Sequence, residues 1–524
     1  VHIRNNTKIQ KKQPQKKPFW CCFFSLVKAN MAGGLMQLVA YGAQDVYLTG
    51  TPKVTFFQAV YKRHTNFAME LIQQTTSGTV GNGGRVSITI ARNGDLVGNM
   101  HVALTPVAPS ATVLLTSTNS AIDTNWIAER AISTVELTIG GQRIDKHYQL
   151  WWRLYSEVFL NEADKIAWGK MTSMSNPNTT QTYVPKVYLP LLFFFNRNPG
   201  LYLPLIALQY HEVRLDFDLT QYYASYFSTG SSFEVWANYI YLDTEERRRF
   251  AQKGHEYLIE QLQHTGGDTL SASGTQDQPV RLTFNHPVKE LIWCYQNPTS
   301  AAQQSSAYNG MWNFCSTTAN VNVTCDPTVL AYSGIPAVPH AVGAPRLYTP
   351  SFLTAGQGVR LTSNAVAING LNSGASAFIS NVVPSLFYFQ SNVISGNVFW
   401  VEEGTTLAGT ANTSYGVEVG PLNSFKVVLN GQDRFAAQGG KYFNQVQPFY
   451  HHTGTPYPGI YVYSFALQPE EHQPTGTCNF SRIDNASVTV NLKTSVQTTS
   501  QKMFAVNYNV LRIASGMGGL AFSN

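Results

Sequence analysis

The 524-residue chain is too long for one ordinary hydrophobic core, so two large domains are expected. Charged residues make up only 13%, about half the usual share, while aromatics reach 12%, so the surface must rely on Asn, Gln, Ser and Thr. The net charge of +6 does not mark a nucleic-acid binder: residues 1–30 hold seven basic and no acidic side chains, and the rest sets 29 Lys and Arg against 30 Asp and Glu.

An amide- and hydroxyl-rich surface suits extensive protein–protein contact, and on composition alone equally suits a glycan-binding or secreted β-protein. Residues 1–30 run a basic stretch into Phe19-Trp20-Cys21-Cys22-Phe23-Phe24, a faint secretory-signal pattern. The favoured reading is a non-native leader or disordered basic segment ahead of Met31, set aside from fold reasoning. Residues 31–54 are Gly-rich and mixed apolar and are expected to form an extended N-terminal arm. No stretch approaches the roughly 20 apolar residues of a membrane-spanning helix.

From there period-two alternation dominates. Val86, Ile88 and Ile90 alternate with Ser87 and Thr89; Val213, Leu215, Phe217 and Leu219 alternate with Arg214, Asp216 and Asp218; Phe504, Val506, Tyr508 and Val510 repeat the pattern. Further strands are expected over 67–75, 96–104, 132–139, 187–195, 233–242, 286–296, 424–430, 459–467 and 486–492. Many short alternating segments with Gly and Pro between them indicate antiparallel sheets in a sandwich or barrel. Helices are few: 147–158, with Leu150, Trp151, Leu154, Tyr155 and Val158 at helical spacing, then 161–170, then 245–252 with Glu245 four before Arg249. The run Arg247-Arg248-Arg249 reads as a solvated connector helix beside Glu245 and Glu246 rather than a nucleic-acid patch.

An internal repeat sets the architecture. The strand from Val135 into Gly141-Gln142-Arg143 matches Phe425 into Gly431-Gln432-Asp433-Arg434, 290 positions on, and Val213–Leu219 matches Ala486–Leu492, 273 positions on. Before each second match lies an apolar strand and after it one more alternating strand. Two copies of one β-unit follow, with the boundary near 244–255: residues 55–244 and 256–514, joined by a connector at 245–255 and ending in a tail at 515–524. The Asn/Ser/Thr/Gly-rich stretches 298–350 and 362–381 read as surface loops.

Catalytic chemistry finds no convergent groups. No P-loop, G-x-G-x-x-G, H-E-x-x-H, G-x-S-x-G or H-x-H occurs. His451 and His452 are adjacent, so on a strand their rings would point to opposite faces, and they read as polar loop. No catalytic residue, metal ligand or cofactor is expected. The six cysteines carry no CxxC pair and read as free thiols, with Cys315 and Cys325 able to pair within one loop. Of six N-x-S/T sequons, Asn178, Asn322 and Asn412 fall in expected loops and are the better glycan acceptors. Trp151-Trp152 and Phe193-Phe194-Phe195 read as core or subunit seam.

At Met31 the sequence resembles a family. The run Ala32-Gly-Gly-Leu-Met-Gln-Leu-Val-Ala-Tyr-Gly-Ala-Gln-Asp-Val-Tyr-Leu-Thr-Gly50 is similar to the opening of major capsid proteins of nucleocytoplasmic large DNA viruses, nearest the algal (phycodnavirus) group. So are Thr55–Phe67, Asn93-Gly-Asp95, Asn198-Pro-Gly200, Pro204–Glu212, Leu242–Phe250, Phe284–Trp293 and Tyr463–Asn485; residues 1–30 have no counterpart. The resemblance implies an all-β double jelly roll, two eight-stranded antiparallel sandwiches in tandem with few short helices and long surface loops. It implies a homotrimer whose six lobes make a pseudo-hexagonal block in an icosahedral virion shell. The implied partners are further copies of the chain, neighbouring capsomers, and minor capsid and penton proteins that the arm would contact. An inner viral membrane would lie nearby but unspanned, with no direct contact to nucleic acid and assembly in the host cytoplasm. The rival reading is a jelly-roll glycan-binding or attachment protein.

Overall fold

A computed structural model describes residues 36, 38–40, 42–107, 126–172, 186–229, 233–270, 276–296, 321–324, 358–361, 376–383, 386–390, 395–401, 421–454, 456, 459–492 and 499–522. The chain divides into one unit over Val1–His64 and another over Thr65–Asn524. In the first unit, the described residues hold a short helix, Val46–Thr49, and Asp45 Oδ2 accepts the Gly42 N–H at 2.8 Å. Its large apolar side chains, among them Tyr47, Leu48, Phe56 and Phe57, are exposed.

The second unit carries the sandwiches. The first set of strands is β1 (Phe67–Gln74), β2 (Thr76–Gly78), β3 (Arg85–Thr89), β4 (Leu96–Leu104), β5 (Ile132–Ile139), β6 (Gln142–Tyr148), β7 (Val187–Pro190), β8 (Leu203–Pro204), β9 (Val213–Leu219) and β10 (Phe233–Leu242). They pair as β1-β10-β4-β7, with β8 on β4, and as β2-β3-β9-β5-β6. The second set is β11 (His255–Leu270), β12 (Gln278–Leu282) and β13 (Pro287–Gln296), then β14 (Val321–Thr324), β15 (Gly358–Leu361), β16 (Ser376–Val383), β17 (Leu386–Gln390) and β18 (Ser395–Val401). It continues with β19 (Leu422–Leu429), β20 (Gln432–Asp433), β21 (Gln438–Gly439), β22 (Ile460–Ser464), β23 (Cys478–Asn479), β24 (Ala486–Leu492), β25 (Thr499–Ala514) and β26 (Met517–Leu520). These pair as β11-β25-β13-β22 and β12-β24-β19-β20, while β14 to β18 close a small barrel of their own.

The two orders are the same order. β1, β10, β4 and β7 correspond in sequence to β11, β25, β13 and β22; β3, β9, β5 and β6 correspond to β12, β24, β19 and β20. The sequence repeat is therefore a repeat of topology, and each half is a jelly roll. Its anchor is a two-residue hairpin. Ile139 pairs Gln142 and Leu429 pairs Gln432 across turns whose residues all have positive φ: Gly140 57° and Gly141 81°, Asn430 49° and Gly431 80°. That is the primed turn whose twist suits antiparallel strands, and Gly or Asn is what tolerates it. At Gly140 a side chain would also strike the His211 ring.

Alternation becomes burial as expected. On β24, Ala486, Val488, Val490 and Leu492 are buried and the residues between them are half-buried. In the first roll Val135, Leu137 and Ile139 of β5 meet Leu215, Phe217 and Val213 of β9 in one core. In the second, the Trp293 ring stacks on Phe425 at 4.3 Å and on Tyr461 at 5.7 Å.

Several expectations need correction. The segment 147–158 starts as strand: β6 runs to Tyr148 and the helix is Gln149–Val158. The apolar segment at 187–195 is strand only to Pro190, because Phe194–Arg197 turns into a helix. The connector is a helix at Thr244–Gln252, and His255 already belongs to the 16-residue β11. β11 escapes an alternation search because its burial does not alternate: Ile259, Glu260, Gln261 and Leu262 are all buried. Part of the stretches read as loops is strand, namely β14 and β16; four residues of alternation in β14 are too few to stand out.

Replacing Phe217 or Trp293 by Ala is expected to cost about 3–5 kcal/mol each, because both side chains are fully buried. Denaturant unfolding checks this; a midpoint equal to the parent's would contradict the packing.

Candidate assembly surfaces

No group of three or more His, Cys, Asp and Glu able to hold a metal occurs among the described residues, and Cys294 and Cys478 are free thiols. What the unit does build is a seam between the two rolls. On the sheet β11-β25-β13-β22, Leu291, Trp293, Met503, Ala505 and Tyr461 point into the second roll's core. The residues between them, Ile292, Cys294, Phe504, Val506 and Val462, join the core of the first roll instead. This sheet is thus buried on both faces, which is why β13 reads as a nearly continuous apolar run.

The receiving side is the helix Gln149–Val158 with β6 and the Phe193–Arg197 turn. The Trp151 ring lies 5.9 Å and the Tyr148 ring 6.1 Å from that of Phe504. Trp152 and Phe193 to Phe195 are likewise buried within the chain, so these aromatics are core rather than a subunit seam. Backbone is satisfied across the seam as well: Gln261 Nε2 donates to Ile144 O at 2.5 Å, and Leu262 N donates to Asp145 Oδ1 at 3.0 Å. Tyr210 N donates to Gly516 O at 3.0 Å, and His211 Nδ1 lies 2.9 Å from Gly518 O. A side chain at Gly516 would collide with the Tyr210 ring and one at Gly518 with Leu208.

Charges sit in the same seam, with Glu260 and Lys289 buried and Arg197 reaching in from a partly exposed position. Arg197 of the first roll reaches Glu260 at 2.9 Å, and Lys289 reaches the same carboxylate at 2.5 Å while donating to Pro469 O at 2.7 Å. Burial works against the Glu260 charge, but Arg197 and Lys289 outweigh it and hold the carboxyl below its ordinary range. Beside them His452, read from sequence as polar loop, is enclosed. Its Nε2 lies 3.1 Å from Glu290 and its Nδ1 3.3 Å from Glu470, with Phe159 edge-on to the ring at 5.4 Å. Burial disfavours its charge, yet the two carboxylates more than compensate and lift it to about 9. His451 ends the helix Gln447–His451, so the pair does not share a strand. Nothing in the sequence marks this site, because Glu290 and Glu470 are far apart along the chain.

Of the three consecutive arginines, Arg247 pairs with Asp95 at 2.9 Å and Arg248 with Glu245 at 2.7 Å. Glu245 therefore serves Arg248, three residues on, rather than Arg249 as the spacing suggested.

The ends of the paired rolls differ. Tyr210 and His211 precede β9, and their partners follow β25, so the short-turn ends of both rolls lie on one side. From the other side leave the β6–β7 and β13–β19 connections. Asn178 falls in the former, and Asn322 and Asn412 in the latter. Asn178 and Asn412 lie outside the described residues; Asn322 stands on β14 rather than in a loop.

Residues 246–519 match the family of large eukaryotic DNA virus major capsid proteins, and residues 55–244 match the major capsid protein N-terminus. The chain is 41% identical to a major capsid protein of Phaeocystis pouchetii virus, over 94% of this chain and 100% of that one. It is likewise 41% identical to that of Paramecium bursaria Chlorella virus 1, with the same coverage. Among solved structures, the PBCV-1 virus capsid matches at TM-score 0.63 and 37% identity, over 90% of this chain and 100% of that one. The Faustovirus major capsid protein matches at TM-score 0.56 but 12% identity, over 92% and 96%, a likeness of fold alone.

Glu260→Gln is expected to lower stability by about 3–5 kcal/mol by leaving the buried Lys289 ammonium without its carboxylate; an unchanged unfolding midpoint would contradict the cluster. His452 stabilises in full below about pH 6.5 and loses that contribution as pH rises through about 9, since its folded pKa is raised. His452→Gln should therefore melt well below the parent at about pH 6.5, and the gap should narrow above about pH 9. A gap that does not change over this range would contradict the two-carboxylate site.

Proposed function

Because this chain belongs to the family of large eukaryotic DNA virus major capsid proteins, we propose that it tiles an icosahedral virion shell as a pseudo-hexagonal homotrimer. The observation that carries this reading is the shared strand order of the two rolls. A hexagonal lattice position presents six like edges, and three chains of two like rolls supply six lobes. Fusing the rolls also lets them diverge, so that one copy can carry insertions the other lacks.

In this reading residues 55–244 and 256–514 are the two rolls, and the arm at 31–54 meets neighbouring capsomers or minor and penton proteins. The exposed apolar side chains of 36–61 are suited to that task. The end from which the β6–β7 and β13–β19 connections leave faces outward, and Asn178, Asn322 and Asn412 are its candidate glycan acceptors. The opposite end faces an inner membrane that the protein does not cross; among the described residues no helix is long and apolar enough to do so. Assembly takes place in the host cytoplasm. The chain's work is mechanical, without catalysis or cofactor, and the near-neutral body gives it no general attraction to the genome.

Light scattering of purified protein should give three times the 58.0 kDa chain mass, and concentrated trimers should form hexagonal arrays in the electron microscope. A species of single-chain mass at every concentration would sink the proposal.

A further inference from the structure

The seam inside one chain joins two particular surfaces. One is the outer face of a β11-β25-β13-β22 sheet, presenting Phe504 and Ile292; the other is the helix Gln149–Val158, presenting Trp151. Because the rolls repeat, each chain carries one further copy of each surface, and in both the apolar groups are open. The counterpart sheet, β1-β10-β4-β7, shows Phe67, Met69 and Leu71 at 51%, 60% and 51% exposure, with Tyr188 at 40% on β7 of the same sheet. The counterpart helix lies between β20 and β22, as Gln149–Val158 lies between β6 and β7. It is Gln447–His451, and its Phe449 and Tyr450 are 80% and 71% exposed.

Resting on the trimer reading, we infer that a second copy of this chain seats its Phe449–Tyr450 helix on the Phe67–Met69–Leu71 face, repeating between chains the contact that joins the rolls within one. The occupant is a second copy because the pair of surfaces is already matched once in the same polypeptide. The first roll offers an open sheet and has its helix covered; the second offers an open helix and has its sheet covered. Each chain thus has one free surface of each kind. Such a contact is heterologous, head to tail, and a head-to-tail contact leaves no free surface only when the ring closes. Under the trimer reading this ring closes at three chains, which is six rolls. Apolar side chains this exposed on a soluble roll mark contact surface.

The test uses two surface variants of the whole chain, Met69→Glu with Leu71→Glu, and Phe449→Glu with Tyr450→Glu. All four positions are exposed, and unchanged circular dichroism and melting of the monomer serve as the check on folding. Each variant alone should have the single-chain mass of 58.0 kDa under conditions where the parent is three times that. Mixed one to one, they should form a complex of two chains and no larger, because each retains the surface the other has lost. A variant that stays trimeric, or a mixture in which no two-chain complex forms, overturns the assignment of these surfaces while leaving the trimer reading standing. A parent that is itself single-chain overturns the trimer reading instead.

Discussion

A β-sheet that must be buried on both faces is the constraint on which this molecule turns. The strands β11, β25, β13 and β22 send alternate side chains into their own sandwich and into the neighbouring roll. A sandwich needs only one inner face per sheet; the second apolar face commits this sheet to a partner layer. Within the chain that partner is the helix Gln149–Val158 and the segments around it. Their own near-complete burial, including Arg153 and Glu157 as an ion pair of 2.7 Å, follows from lying between two cores. Large apolar side chains of both rolls share one cluster, and at about 25 cal/mol per Å² of apolar surface removed from water such burial favours the docked arrangement.

The two rolls share one strand order and differ in their connections. The hairpins at Gly140-Gly141 and Asn430-Gly431 keep the same turn because only residues that accept positive φ can close a two-residue loop there. The connections, which have no such constraint, have diverged: the β13–β19 connection of the second roll holds a five-stranded barrel, β14 to β18, while the corresponding β4–β5 connection of the first roll, residues 105–131, is much shorter. Variation is thus confined to the connections, while the sheets that carry the two cores keep their order.

The charged residues in the seam need a different account from the apolar ones. A buried ion pair is seldom more stabilising than a well-packed apolar group of the same shape. In the cluster of Arg197, Glu260 and Lys289 the carboxylate is the shared member: it pairs a cation from each roll, so removing it leaves the buried Lys289 without a charge partner. His452 extends this. Held charged between Glu290 and Glu470, it ties the segment after the Gln447–His451 helix to β13 and to the loop bearing Glu470.

The sequence by itself determined the elements whose signal is local. Alternation located β4, β5, β10 and β24 to the residue and β9 to within one, and the recurrence of strand, Gly-Gln turn and strand disclosed the duplication. It could not disclose β6, β11 or β12, where the outer or seam-facing positions are polar or the burial does not alternate, as with Glu260 and Gln261 beside Ile259 and Leu262. It read Trp151-Trp152 and the Phe193 run as core or subunit seam, and the packing within the chain decides for core. Most of all, it could not bring Glu290, His452 and Glu470 together. Spacing along a chain encodes which face a residue occupies within one element; which elements then meet is set by packing between layers. That is why the seam, its charges and the open apolar surfaces were decided only by the tertiary structure.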